Sequence, residues 1–502
     1  MRRARICFSC LFLLTATFLA AQPSLVPRGP AARIDSAAGH DSFYNEAPVP
    51  ALAPDGSLLV VWGTPVIVEA SILVRHFDAT GKAGAAETVV SAGIGRESPR
   101  IIPFGTDRFL TVWNNAFAVP LISQRRTAGV AGTLSARLLD ATGAPAGPEV
   151  QVNASGQGAY EPLLAALPGG GAVALWETDH LVARFLNAAG QPVGSEIDVA
   201  PVQCLPRTAG LAGLPGDGFL ALWFPNPGRG SGCTGIQGLA FGADGQPASN
   251  NLTRVFYAPV VAVAPNGRFL VLRTDTGTGQ LRSIPYTADG GQLDTRILAT
   301  ADGGPPVPVA VGVDDAGRFL ALWTTADPSG APLFARLLDN DGVPAGDPFV
   351  VSSQVDGRQP AARAAGVGGE WAVTWAGQPA IDAAAAPLFV RRFGPCPGLC
   401  LNGSRFAVTV AWTNPRDGSA GTGHALPLTG DTGSFWFFDP RNVELDVKVL
   451  DGRGVNGHFW VFYASLTDVE FTLKVTDTET GAEKTYHNQP YTLASQADVT
   501  AF

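Results

Sequence analysis

One pattern recurs seven times along this chain of 502 residues, and it constrains the fold more than any other feature. Each copy reads as a Pro, a short apolar strand, a Gly/Asn/Asp turn and a strand ending in Trp. A loop, an Arg-bearing strand, a D-x-x-G turn and a final strand follow. The clearest copy runs VPVAVGVDDAGRFLALW (Val307 to Trp323), LFARLLDNDG (Leu333 to Gly342) and DPFVVS (Asp347 to Ser352). The strand-ending aromatic returns as Trp62, Trp113, Trp176, Trp223, Trp323 and Trp375, with Arg273 in its place in the fifth copy. The spacing is about fifty residues, in the range of propeller blades.

Within RFLALW, Phe319, Ala321 and Trp323 face one way while Leu320 and Leu322 face the other, and both sets are apolar. A sheet with one wet face would alternate apolar and polar residues, so this strand is covered on both sides. Four short strands per unit, repeated radially, favour a propeller over a sandwich or a solenoid. The seventh copy, Gln359 through Trp375 to Phe393, stops before its fourth strand and would leave an open edge. The N-terminal segment Pro30 to Pro48 resembles Gly147 to Pro162, where a fourth strand leads into the next unit. Arg33 to Ser36 is therefore expected to complete the seventh unit by strand exchange.

From Pro395 onward the pattern changes to alternating strands: Arg405 to Trp412, Ser434 to Asp439, Glu444 to Asp451, His458 to Ala464 and Glu470 to Asp477. The expected fold is all-β, a seven-bladed β-propeller followed by an immunoglobulin-like β-sandwich that lacks the Cys and Trp spacing of antibody domains. The expected divisions are a signal peptide over 1–21, the propeller over 28–394 with an N-terminal strand closing its last blade, and the sandwich over 395–502.

The first residues support that leader, because Arg2, Arg3 and Arg5 precede an apolar stretch from Ile6 to Leu19 that ends at Ala20 and Ala21. Past it, no apolar run approaches the roughly 18 to 20 residues of a membrane helix. No membrane span is expected in the mature chain, which is read as secreted, extracellular or periplasmic. A net charge of −9 and lysines only at Lys82, Lys448, Lys474 and Lys484 leave no basic stripe, which argues against nucleic acid as a partner. In an exported chain, Cys204, Cys233, Cys396 and Cys400 are expected to form two disulfides. The favoured pairing joins Cys204 to Cys233 and Cys396 to Cys400, and four bonded cysteines formally allow three connectivities.

The W…R-x-[FL]-D-x-x-G repeats resemble those of bacterial secreted propeller proteins. The tail is similar to a C-terminal module of uncharacterised secreted bacterial proteins, on LCLNGSRFAVTVAW, GSFWFFDPRNVELDVKVLDG and NGHFWVFYASLTDVEF. The resemblance implies secretion and a multidomain setting, and it brings no catalytic residues.

In a propeller, the loops entering the inner strands and those joining second to third strands gather on one face around the central channel. Glu46, Glu97, Glu161 and Gln359 are expected just before their inner strands, with Tyr44, Tyr160 and Tyr257 close by, as a ring at the channel mouth. Such a ring could hydrogen-bond a sugar stacked on the tyrosines or hold a hard cation. The D-N-D-G at Asp339 to Gly342 aligns with the turns at Asp78 and Asp140 and reads as a turn rather than a metal loop. Arg75, Arg137, Arg184 and Arg336, like the Trp series, are expected to support neighbouring units rather than a ligand.

No G-x-S-x-G elbow appears, and the six His, His180 among them, fall without partner spacing. No catalytic residue, metal or cofactor is assigned. The leading expectation is a non-catalytic binding or scaffolding protein whose partner is an extracellular glycan or protein. The alternatives are a carbohydrate-active hydrolase or lyase using the mouth carboxylates, with Glu177 and Asp179 as further candidates, and a structural envelope component.

Overall fold

The computed structural model describes residues 25–36, 47–64, 70–93, 96–115, 132–154, 158–200, 206–225, 235–248, 252–254, 260–300, 304–325, 331–355, 361–377 and 386–502. The described chain is almost entirely antiparallel β-structure, with one short helix at Arg453–Asn456. Up to Pro395 it forms seven small sheets, numbered one to seven here in chain order from the first strands Val49–Leu52, Arg96–Phe104, Tyr160–Ala166, Arg207–Gly213, Val260–Val263, Pro306–Val313 and Ala362–Val367. The first strand of each sheet packs against the first strand of the next, and that of sheet seven against that of sheet one. The arrangement is propeller-like.

Side-chain packing explains why the repeat is apolar on both faces. In sheet six, Phe319, Ala321 and Trp323 pack with Leu270, Leu272 and Leu281 of sheet five. Leu320 and Leu322, on the opposite face, pack with Trp371, Val373 and Trp375 of sheet seven. Sheet one behaves the same way: Leu58, Val60 and Trp62 meet Ala372 and Val390 of sheet seven, while Leu59 and Val61 meet Phe109 and Trp113 of sheet two. A strand buried on both faces has no wet side on which polar alternation could develop.

The repeat arginines tie neighbouring sheets together. Arg137 donates from Nε to the Gly147 carbonyl at 2.8 Å and from Nη1 to the Val90 carbonyl of sheet one at 2.6 Å. Arg184 does the same with Gly194 and, in sheet two, Val152. Arg336 reaches Gly346 and, in sheet five, Leu298. The rigid guanidinium fork suits two carbonyls on different sheets, a geometry that lysine cannot copy. Arg391 makes the equivalent fork to Gly29 and Val351, and LFVRRF, from Leu388 to Phe393, aligns it with Arg336 in LFARLL although the D-x-x-G turn is missing.

The D-x-x-G turns close on themselves. Asp140 Oδ1 accepts the N–H groups of Thr142 and Ala144 at 2.8 and 3.0 Å, and Asp339 Oδ1 accepts those of Asp341 and Val343 at 2.9 and 2.8 Å. Gly143 holds φ 86°, and a Cβ there would lie 3.1 Å from Val74 Cγ1 of sheet one. Glycine is thus required both for its left-handed backbone and for close approach to the adjacent sheet.

Two N-terminal strands, Leu25–Pro27 and Ala32–Arg33, both pair antiparallel with Leu388–Pro395 of sheet seven. The pairing begins earlier than Arg33 and before residue 28, and beyond it Ile34 N–H donates to the Leu388 carbonyl at 2.8 Å. Asp35, 4% exposed, accepts the Leu388 N–H at 2.9 Å and a fork from Arg33.

From Leu399 onward two five-stranded antiparallel sheets enclose a core that includes Phe406, Val447, Phe459, Val461, Phe471 and Leu473. One sheet contains an uninterrupted meander, His424–Pro427, Thr432–Trp436, Leu445–Gly452 and His458–Ser465, with Ser495–Asp498 added at its edge. Cys396 and Cys400 are joined by a disulfide at the entry to this unit, with Cα atoms 6.1 Å apart. Cys204 and Cys233 lie outside the described residues. Among the described residues no helix is long and apolar enough to cross a membrane.

Candidate functional site

Four of the expected mouth residues, Tyr44, Glu46, Tyr257 and Gln359, lie outside the described residues. Glu97, Tyr160 and Glu161 are described, and they meet at the junction of sheets two and three. Their strands begin earlier than expected: Glu97 and Glu161 stand inside Arg96–Phe104 and Tyr160–Ala166 rather than in the loops before them.

The register also corrects the expected equivalence of the two carboxylates. Glu97 pairs across its sheet with Asn114, which follows Trp113, whereas Tyr160 pairs with Glu177, which follows Trp176. Glu97 is therefore the counterpart of Tyr160, and Glu161 is the counterpart of Ser98. The offset lies in the sequence itself, since Glu97 stands 16 residues before Trp113 and Glu161 stands 15 before Trp176, while both sheets carry the same register shift, between Glu97 and Arg100 and between Tyr160 and Leu163. At the shift, Ser98 holds φ 50° and Glu161 φ 46°, left-handed values uncommon outside glycine. Bulges of this kind re-aim side chains next to functional sites.

The consequence is a compact polar group. Arg100 Nη2 lies 3.9 Å from Glu161 Oε2, and Arg100 also donates to the Pro99 carbonyl at 2.9 Å. The Arg100 side chain is 14% exposed and that of Glu161 44%, so the cation backs the carboxylate and leaves it open to solvent. Burial and the nearby Glu97 carboxylate both raise the Tyr160 phenol above its usual pKa. A phenol held protonated is a hydrogen-bond donor rather than a base.

Glu177 is 6% exposed and accepts the backbone N–H of Thr208, in sheet four, at 2.8 Å. Thr208 Oγ1 also donates to the Glu161 carbonyl at 3.3 Å. Glu177 thus acts as a strut between sheets three and four.

Asp179 belongs to a second cluster. His180 has Asp179 Oδ1 2.5 Å from Nδ1 and Asp198 Oδ1 2.8 Å from Nε2. The hydrogen bond from His180 is the main cause that holds Asp179 below the usual carboxylate range. His180 has no partner at a motif spacing, and strand pairing brings Asp198 in from 18 residues away. The linear signal was faint, because the two residues share no motif. Among the described residues no group of three or more His, Cys, Asp or Glu could hold a metal ion.

No family model and no curated protein matches the chain. Solved structures do. An ulvan lyase of a polysaccharide lyase family is 9% identical with a TM-score of 0.45, over 74% of this chain and 96% of that one. An α-L-arabinanase from Penicillium chrysogenum is 12% identical with a TM-score of 0.38, over 74% and 99%. A protein of unknown function from Bacteroides caccae is 16% identical with a TM-score of 0.29, over 48% and 78%. Likeness at this level carries no argument about chemistry or ligand.

Proposed function

We propose that this is a secreted, non-catalytic binding protein, in which the seven sheets are the blades of one closed β-propeller and the mouth of its channel takes a polar ligand such as a glycan. The single observation that carries the reading is the group Glu97, Arg100, Tyr160 and Glu161. It combines a protonated phenol, an open carboxylate and a half-buried cation behind it. Convergent polar groups beside an aromatic ring are what a hydroxylated, partly apolar ligand needs for orientation and stacking. The remaining repeated residues are engaged elsewhere, the arginines in forks between sheets and the Asp and Gly residues in their own turns.

Turnover has less support. A carboxylate-pair mechanism needs two acids about 5 to 9 Å apart, one of them held protonated. Glu177, one of the further candidate acids, is committed to Thr208. In this reading the first 21 residues are a cleaved leader, Leu25–Ile34 completes the seventh blade, and the unit after Pro395 is a spacer or docking sandwich. That unit shares the two-layer architecture of immunoglobulin-like domains, with a strand order of its own. The relationship to bacterial secreted propeller proteins belongs to the same reading.

A glycan array probed with the purified protein, with and without calcium, tests it. The expected result is selective binding that a Glu97→Ala/Glu161→Ala variant loses. Binding indifferent to that variant would move the ligand site elsewhere.

A further inference from the structure

Tyr491 holds φ 62°, in the left-handed region that bulky side chains rarely adopt, yet it is 64% exposed. Its N–H donates to the Asp468 carbonyl at 2.7 Å, and its hydroxyl donates to the Pro415 carbonyl at 3.1 Å. The Arg416 guanidinium stands 5.8 Å from its ring centroid and is itself forked onto Asp468 at 3.1 and 2.6 Å. Backbone strain persists where surroundings over-determine it, and such places cluster at ligand sites. Here three loops fix an aromatic ring in the open, which contributes little to any core.

The same end of the sandwich exposes Phe438 at 48%, Leu466 at 58% and Leu493 at 69%. Phe438 and Tyr491 are the two aromatic residues among the exposed large apolar side chains of the described chain. The loops that carry these residues are tied together, since Leu466 N–H donates to the Glu444 carbonyl and Ser465 N–H to the Ala494 carbonyl, both at 2.8 Å. This end lies at the far end of the strand Glu470–Asp477 from Thr478, whose carbonyl accepts the Gly29 N–H of the first unit. It therefore points away from the propeller-like unit.

Charge narrows the ligand class. Arg416 faces Asp468 at 2.6 Å, Arg441 faces Asp439 at 2.9 Å and His487 faces Glu470 at 3.0 Å. With both arginines set against a carboxylate, and with Asp417 and Glu470 beside them, the surface offers no net positive field for a phosphate or an anionic lipid. A pyranose, neutral and with one apolar face and a rim of hydroxyls, matches a fixed ring bordered by paired polar groups. We infer that this end of the sandwich is a second binding site, separate from the channel mouth, for a neutral saccharide that stacks on Tyr491.

The test titrates the purified full chain with neutral cello-, xylo-, manno- and malto-oligosaccharides by calorimetry. Tyr491→Gly removes the ring and suits the positive φ, so binding should weaken by about tenfold or more while the thermal midpoint stays or rises. Leu466→Gln, at an exposed position, should also weaken binding without changing the fold. Tyr160→Ala, at the channel mouth, should leave this binding unchanged. The inference is overturned if none of the four oligosaccharides binds, or if binding survives Tyr491→Gly. A purely structural role for the ring would appear as a lower thermal midpoint in that variant with binding intact. Association with anionic vesicles, or dimerisation abolished by Tyr491→Gly, in place of saccharide binding would equally overturn it.

Discussion

Arg75 donates from Nη1 to the carbonyl of Ile34, 41 residues earlier in the chain, at 2.8 Å. Ile34 extends the N-terminal strand that lies along sheet seven, so this one hydrogen bond joins the first sheet to the last. Glu87 of sheet one makes a parallel contact, accepting the Ser36 N–H. Deleting residues 1–36 should therefore expose the edge of Leu388–Pro395 and uncover the buried Ile34 site. The expected outcome is a lower and broader thermal transition with early proteolysis after Leu388, measured by calorimetry and limited digestion. An unchanged midpoint would mean that the N-terminal strand adds nothing to closure.

Arg137→Lys should be nearly as damaging as Arg137→Ala, because an ammonium cannot span Gly147 and Val90 together. Each variant should lose about 1–3 kcal/mol, the usual cost of leaving buried partners unsatisfied. Chemical denaturation at neutral pH checks the magnitude, and full rescue by lysine would reduce the arginine's role to its charge.

Gly190→Ala should destabilise the protein by about 1–2 kcal/mol. The residue holds φ 70°, and a Cβ would meet Leu110 Cδ1 at 3.2 Å and Leu138 Cγ at 3.3 Å, both in the preceding sheet. Gly216→Ala, with φ 81° but nothing within 4 Å, isolates the backbone contribution and should cost less. Equal losses at the two positions would show that close approach between sheets is unimportant.

Burial of Asp477 opposes its ionisation, but hydrogen bonds from Arg405 and from the Glu479 N–H outweigh it and leave the carboxyl below its usual pKa. A depressed folded-state pKa contributes stability that is present above the unfolded value and lost as pH falls through the folded one. The sandwich should thus weaken below about pH 4, and Asp477→Asn should flatten that part of the stability profile. An acid transition that stays as steep in the variant would assign the effect to other carboxylates.

The architecture was legible because its signals repeat. Two-sided apolar strands such as Phe319 to Trp323, turn residues such as Asp140 and Gly143, and the arginine forks each obey one local rule several times over. The strands of the second unit were equally readable from alternation: Glu470 to Asp477 was expected and is observed at those bounds. The site was far less legible. Glu97 and Glu161 look alike as glutamates just ahead of a Pro, and only the count to the following Trp, 16 residues against 15, tells their positions apart. His180 and Asp198 meet only because two strands pair. The αL backbone at Tyr491 has no residue signature, since Gly or Asn would be the usual choice there.

The most direct test of the proposed function is calorimetric titration of the best array ligand into the wild-type protein and a Tyr160→Ala/Glu97→Ala variant, with mass analysis of the recovered glycan. The account predicts saturable binding that weakens by about tenfold or more in the variant, with the glycan recovered intact. Cleaved product, or affinity indifferent to both substitutions, would contradict it.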